Sequence, residues 1–180
     1  MESFTSITSL QELYLADNQI VSVPNSIGQL KGLRVLNLAR NQISTVPNEL
    51  GNLSQITWIS LSGNNIETLP SSFVSLFDLQ ECYLACNKIT ALGLPKSFNG
   101  YKKLKVLDLS SNQIDFLPGE LGFLTTLLIL EVANNPLLYP PRKYATASTE
   151  TIKNYLKSNR APSLQPQEKL SDHERSKINN

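Results

Sequence analysis

Apolar and polar positions alternate in short bursts along this chain, and the bursts recur. Six times a nine-residue phrase of the form L-x-x-L-x-L-x-x-N appears: LQELYLADN from Leu10, LRVLNLARN from Leu33, ITWISLSGN from Ile56, LQECYLACN from Leu79, LKVLDLSSN from Leu104 and LLILEVANN from Leu127. The closing asparagines Asn18, Asn41, Asn64, Asn87, Asn112 and Asn135 follow one another at 23 residues, with one interval of 25. Strand alternation turns Leu13 and Leu15, or Leu36 and Leu38, to one face and the residue between them to the other. A unit this short cannot bury its leucines alone, so the copies must stack into a solenoid with one continuous core.

After each phrase the chain continues as I-x-x-[VL]-P-x-x-[ILF]-x-x-L, as in Ile20, Val23, Pro24, Ile27 and Leu30. Proline presets a turn and cannot join a sheet interior, so it marks the start of the return segment. Apolar residues three apart, such as Phe73, Leu76 and Leu79, or Phe98, Tyr101 and Leu104, predict a helical turn or two packed back on the strands. The asparagine amides can both accept from and donate to backbone groups left unpaired by the bend, and six in register predict a structural ladder.

These residues resemble the leucine-rich-repeat pattern, from Phe4 to Lys157. The proline-marked version of 23 residues is similar to the intracellular Ras-group repeats of Ras scaffolds, erbin and scribble. The resemblance implies an α/β fold, a right-handed, curved solenoid with a parallel concave sheet and short helical or 3-10 segments on the convex side. It also implies a protein-binding module without catalysis. A second implied role is the regulatory repeat portion of a larger signalling enzyme, a phosphatase, kinase or adenylyl cyclase.

The organisation expected is a partial repeat over residues 1–9, six repeats over 10–138, a C-terminal capping segment over 139–158 and a flexible tail or linker over 159–180. Phe4, Ile7 and Leu10 match Ile27, Leu30 and Leu33, so the chain starts halfway through a repeat, which implies either that Phe4 and Ile7 fold over the first strand as a minimal cover or that the chain is a piece of a longer array. That start is expected to expose an edge through which copies could self-associate. In the fourth unit Ile89 reaches Leu94-Pro95 through TALG, which predicts a protrusion over Ala91 to Gly93. Near the end, STETIKNYLKS reads as an amphipathic helix capped by Ser148 or a neighbouring threonine, with Ile152, Tyr155 and Leu156 inward and Lys153 and Lys157 outward.

Composition narrows the function. With 180 residues, 41% hydrophobic, the chain can build one sizeable core, and a net charge of +1 gives no general attraction to nucleic acid. No stretch is long and apolar enough for a membrane span, and the first residues lack a secretory pattern. Only two cysteines occur, without the cysteine-rich ends common in extracellular arrays, so a cytoplasmic location is expected. Cys82 takes a core position and Cys86 lies on the turn, which argues against a disulfide or a metal pair. The single histidine, His173, sits in the polar tail, and no catalytic, phosphate-binding or metal-spaced motif is present. No cofactor and no metal are expected.

The outward strand positions are the candidate binding residues, because no core constraint dictates them. One column reads Glu12, Val35, Trp58, Glu81, Val106, Ile129 and the next Tyr14, Asn37, Ser60, Tyr83, Asp108, Glu131. Trp58 among neighbouring tyrosines offers the rigid aromatic area enriched at interface hot spots. Asp17 and these four acids, Glu12, Glu81, Asp108 and Glu131, outnumber Arg40 and Lys88 on this face. The expected partner is a protein or peptide with a mildly basic, partly apolar surface.

Overall fold

The computed structural model describes residues 9–92 and 101–159. Each phrase forms a three-residue strand: β1 (Glu12–Tyr14), β2 (Val35–Asn37), β3 (Trp58–Ser60), β4 (Glu81–Tyr83), β5 (Val106–Asp108) and β6 (Ile129–Glu131). They make one parallel sheet in chain order. The register pairs Glu12 with Val35, Val35 with Trp58 and so on to Ile129, so each sequence column is a physical row across the sheet.

Parallel pairing between consecutive units needs a return path, and the proline phrase supplies it. Five-residue 3-10 turns follow Pro24, Pro47, Pro70 and Pro118, each with its proline in the extended N-cap position. In each, the N–H of the last apolar residue donates back to the previous one, as Leu53 does to Leu50 at 3.1 Å. The pull of the core selects the tight helix: Ile27, Leu30 and Leu33, spaced by three, are all buried.

The core runs unbroken between the two layers, from Val23 through Leu36, Ile59, Cys82 and Leu107 to Leu156. Fully burying one such side chain stabilises the fold by about 1.5–3 kcal/mol, and no single repeat could gather enough of them. Adjacent 3-10 turns approach so closely that Gly51 is obligatory in its place: a Cβ there would lie 2.4 Å from the Ser72 carbonyl oxygen.

The fourth unit keeps its register further than the Leu94-Pro95 pair suggests. Ala91 bridges Thr68 as Thr45 bridges Ser22, and Leu92 is buried where Leu69 and Leu117 are buried in their repeats. Ala91 and Leu92 therefore belong to the repeat. The protrusion expected over Ala91 to Gly93 is corrected to that extent; Gly93, Leu94-Pro95 and Phe98 lie outside the described residues. So do Phe4, Ile7, His173 and the tail from residue 160.

The chain after β6 forms a cap. Residues Thr149–Ser158 form helix α1, whose Ser148 side chain accepts from the Thr151 N–H at 3.3 Å. Ile152 and Leu156 are buried against the last repeat. Lys153, expected outside, is buried too, and its Nζ donates to the Leu127 carbonyl at 3.1 Å. The aliphatic stem covers the core end while the ammonium satisfies a carbonyl just ahead of β6. Thr149 Oγ1 likewise accepts from the Leu130 N–H at 2.8 Å, standing in for a missing strand. Tyr139, a third tie, donates its hydroxyl to the Asn159 carbonyl.

Candidate functional site

The concave face is positioned by the turn that ends each strand. Asn41, Asn64, Asn87, Asn112 and Asn135 are buried, and each Oδ1 accepts an N–H from the preceding repeat, on Ile20, Ile43, Ile66, Ile89 and Ile114, at 2.9–3.0 Å. Each Nδ2 also reaches a carbonyl of that preceding repeat, as Asn64 does to Leu38 at 3.0 Å and Asn87 to Leu61 at 2.9 Å. Asn18 is exposed and, among the described residues, serves its own turn, through Leu15 and Ala16. Immediately before each ladder residue the backbone is left-handed, at Asp17, Arg40, Gly63, Cys86, Ser111 and Asn134. Only Gly63 adopts this without steric cost, so a conformational column runs beside the chemical one.

That rigid edge holds the expected binding residues in two rows. Tyr14 is the most exposed aromatic of the face, at 60%, and its hydroxyl donates to Glu12 at 3.0 Å. Tyr83 repeats the arrangement with Glu81 at 2.8 Å. Trp58 is half-buried, with its ring centroid 5.5 Å from that of Tyr83 at a 45° tilt. The hydrogen bond that its hydroxyl donates to Glu81, then burial, then the charges of Glu81 and Asp108 hold the Tyr83 phenol above its ordinary pKa. Tyr14 is raised in the same direction by its bond to Glu12.

Some expected residues are differently placed. Ser60 is only 6% exposed, because Trp58 and the flanking Asn37 and Tyr83 are larger, so it offers a floor and not a contact. Asn37 turns its amide oxygen to the Ala39 N–H at 3.1 Å. Arg40 is committed to Asp17 in an exposed ion pair, which lowers the Asp17 pKa and raises that of Arg40. Asp108 anchors its own turn, accepting from the Ser110 N–H at 3.0 Å and hydroxyl at 2.7 Å. Glu131 is exposed on the last strand beside Ile129. Leu128 and Ile129, 69% and 45% exposed, leave apolar surface at the β6 end; Ile129 closes the first column, and Leu128 is the one that the columns did not include. The signal was present in Leu128 itself, an apolar residue at a phrase position that is polar or charged in the other copies, Gln11, Arg34, Thr57, Gln80 and Lys105.

Both cysteines are free, Cys82 buried and Cys86 exposed. Among the described residues no group of three His, Cys, Asp or Glu side chains is placed to hold a metal ion. No helix among them is long and apolar enough to cross a membrane.

A stacked array of parallel strands, asparagine turns and 3-10 returns defines a solenoid with an open concave sheet. The leucine rich repeat model matches residues 8–66 and 77–137, and the chain belongs to that family, whose arrays are protein–protein interaction modules. A leucine-rich-repeat protein of Leptospira interrogans is similar at 39% identity and a TM-score of 0.73, over 83% of this chain and 36% of that one. The PEPR1-AtPEP1 crystal structure matches at 28% identity and 0.63, over 71% and 18%, and a TDR receptor at 28% and 0.62, over 70% and 22%. This chain thus spans about a third or less of the chains it matches. No curated protein matches it.

These likenesses correct two expectations. The repeats are shared with a bacterial protein and with extracellular receptor domains, so they are not specific to the intracellular Ras group. The cytoplasmic placement falls with that assignment. The reason is physical: the leucines, asparagine and proline of the phrase encode strand, turn and return, which arrays in any compartment need. Scarce cysteine reports only that the core is large enough to stand without cross-links.

Proposed function

We propose that the chain is a recognition module that holds a protein or peptide against its concave sheet, with Trp58 and Tyr83 as central anchors. The observation that carries this reading is the tilted aromatic pair in the middle of the face, with the Tyr83 ring fixed by Glu81. Two preordered rings lose little entropy on binding and present a large apolar area. Six strands about 4.8 Å apart give a face roughly 25 Å across. That is enough for a standard interface of about 800 Å² per partner. Glu12, Glu81, Asp108 and Glu131 rim it, while Asp17 is neutralised by Arg40, so a mildly basic, partly apolar partner surface fits.

The test is capture of a partner from a native extract by the immobilised chain, followed by binding measurements on the purified pair. Trp58→Ala and Tyr83→Ala are expected to weaken binding by about 2 kcal/mol or more each. Gln29→Ala and Asn48→Ala, exposed on the 3-10 side, should leave it unchanged. Loss of binding in the 3-10 variants with retention in Trp58→Ala would place the interface elsewhere.

A further inference from the structure

The two carboxylates beside the aromatic pair are each half used. Glu81 accepts the Tyr83 hydroxyl on Oε2, and Asp108 accepts both Ser110 donors on Oδ1. Their second oxygens accept no hydrogen bond from the described residues, and neither group is in an ion pair with one. Lys105 donates to Gln80 at 3.0 Å, Lys103 pairs with Asp78 at 2.7 Å and Arg40 is held by Asp17, while exposed Lys88 is in no ion pair with a described residue. Register places Glu81 beside Trp58 and Asp108 beside Tyr83, so carboxylates and ring faces lie together on adjacent strands. A cation within about 6 Å of such a ring gains from its quadrupole, and flanking carboxylates add charge-assisted hydrogen bonds.

Val106 and Ile129 continue the same row as an apolar patch, with Ile129 two strand spacings beyond Glu81. That separation is about 9–10 Å. A polyproline-II segment advances about 9.3 Å in three residues and returns to the same face, whereas residues three apart in a β-strand face opposite ways.

We infer that the concave face reads a polyproline-II segment of its partner, with a lysine or arginine seated against Trp58 and Tyr83 between Glu81 and Asp108. An apolar residue three positions away rests on Val106 and Ile129. The inference rests on the concave-face reading above and specifies the chemistry of its occupant. Glu12 with Tyr14 on β1 has the same acid–tyrosine bond but Val35 and Asn37 as its neighbours, so it lacks the second ring.

The experiment is selection of a random twelve-residue display library on the immobilised protein, with recovered peptides titrated by quenching of Trp58, the single tryptophan. Expected are peptides of the pattern basic-x-x-apolar that lose at least tenfold in affinity with Trp58→Ala and with Glu81→Gln combined with Asp108→Asn. For the Trp58→Ala protein the titration uses a labelled peptide. Gln29→Ala, on the 3-10 side, should leave their affinity unchanged, and Asp108→Asn retains an acceptor for Ser110, with folding checked by thermal unfolding. Peptides that depend on Trp58 but are acidic or uncharged, or are indifferent to loss of the two carboxylates, overturn this inference and leave the concave-face reading standing. Recovery only of peptides indifferent to Trp58→Ala overturns both.

Discussion

Asn64 accepts the Ile43 amide on Oδ1 at 2.9 Å while its Nδ2 donates to the Leu38 carbonyl at 3.0 Å and to its own Leu61 carbonyl at 2.9 Å. One buried side chain therefore closes its own turn and fastens it to the repeat before. Asn64→Ala should strand these groups away from water and cost about 1–3 kcal/mol or more in chemical denaturation. Asn65→Ala should be nearly silent, since Asn65 contributes only its backbone N–H, to the Ile43 carbonyl. Asn18→Ala should fall between them, because its turn is exposed. Equal losses for Asn64→Ala and Asn65→Ala would show that the ladder does not bear the turn.

Backbone demands beside the ladder predict a pair of opposite signs. Gly51→Ala would place a methyl 2.4 Å from the Ser72 oxygen and 2.6 Å from its Cβ, and the 3-10 turns would have to separate. Overpacking of this kind costs about 1–3 kcal/mol. Cys86, by contrast, sits at φ 55° where glycine would be unstrained. Cys86→Gly relieves about 1–2 kcal/mol of left-handed strain. Greater freedom in the unfolded chain takes back about 0.4–1 kcal/mol. A small rise in thermal stability is expected, and a clear fall would mean the surrounding turn already accommodates a side chain there.

Residues that repeat were legible in the sequence; residues that interrupt the repeat were not. Strand positions, inward leucines and the asparagine column follow from a period that no other architecture satisfies, so Leu36, Ile59 and Asn87 lie as expected. Ser60 shows the limit: alternation gives the direction of a side chain but not whether its neighbours overtop it. Lys153 shows another, since a lysine on an amphipathic helix reads as solvated until the carbonyl of Leu127 is seen within its reach. The left-handed column was hidden because Asp17, Arg40, Cys86, Ser111 and Asn134 share a backbone conformation and no side-chain chemistry.

The Lys153 contact makes α1 a test of the cap. Lys153→Ala removes a charged donor from the Leu127 carbonyl and the stem covering the core end, with an expected cost of about 1.5–3 kcal/mol. Lys153→Met keeps the stem and should recover part of it. Hydrogen exchange should quicken first at Leu109 and Ser111, whose amides donate to β6 and its turn, before Leu38 and Arg40 respond. Uniform acceleration along the array would mean that the repeats unfold as one unit and not from the capped end.

Cys82 gives a pH dependence with a fixed sign. Burial, and secondarily the charge of Asp108, pushes its thiol far above the ordinary value of 9.0. A thiol that stays protonated when folded but ionises when unfolded contributes stability that is complete below pH 9 and lost as pH rises above it. The unfolding free energy should therefore decline above pH 9, by up to about 1.4 kcal/mol per pH unit. Tyr101, Tyr83 and Tyr139, shifted the same way from 10.0, join as pH nears 10, so the interval just above pH 9 reports mainly Cys82. Cys82→Val should remove the decline in that interval. Exposed Cys86 should alkylate in the native state while Cys82 alkylates only on unfolding, which gives the labelling rate at Cys82 as a second readout. Native-state labelling of both at similar rates would mean that the fourth repeat opens locally and that its core is not the continuous one described.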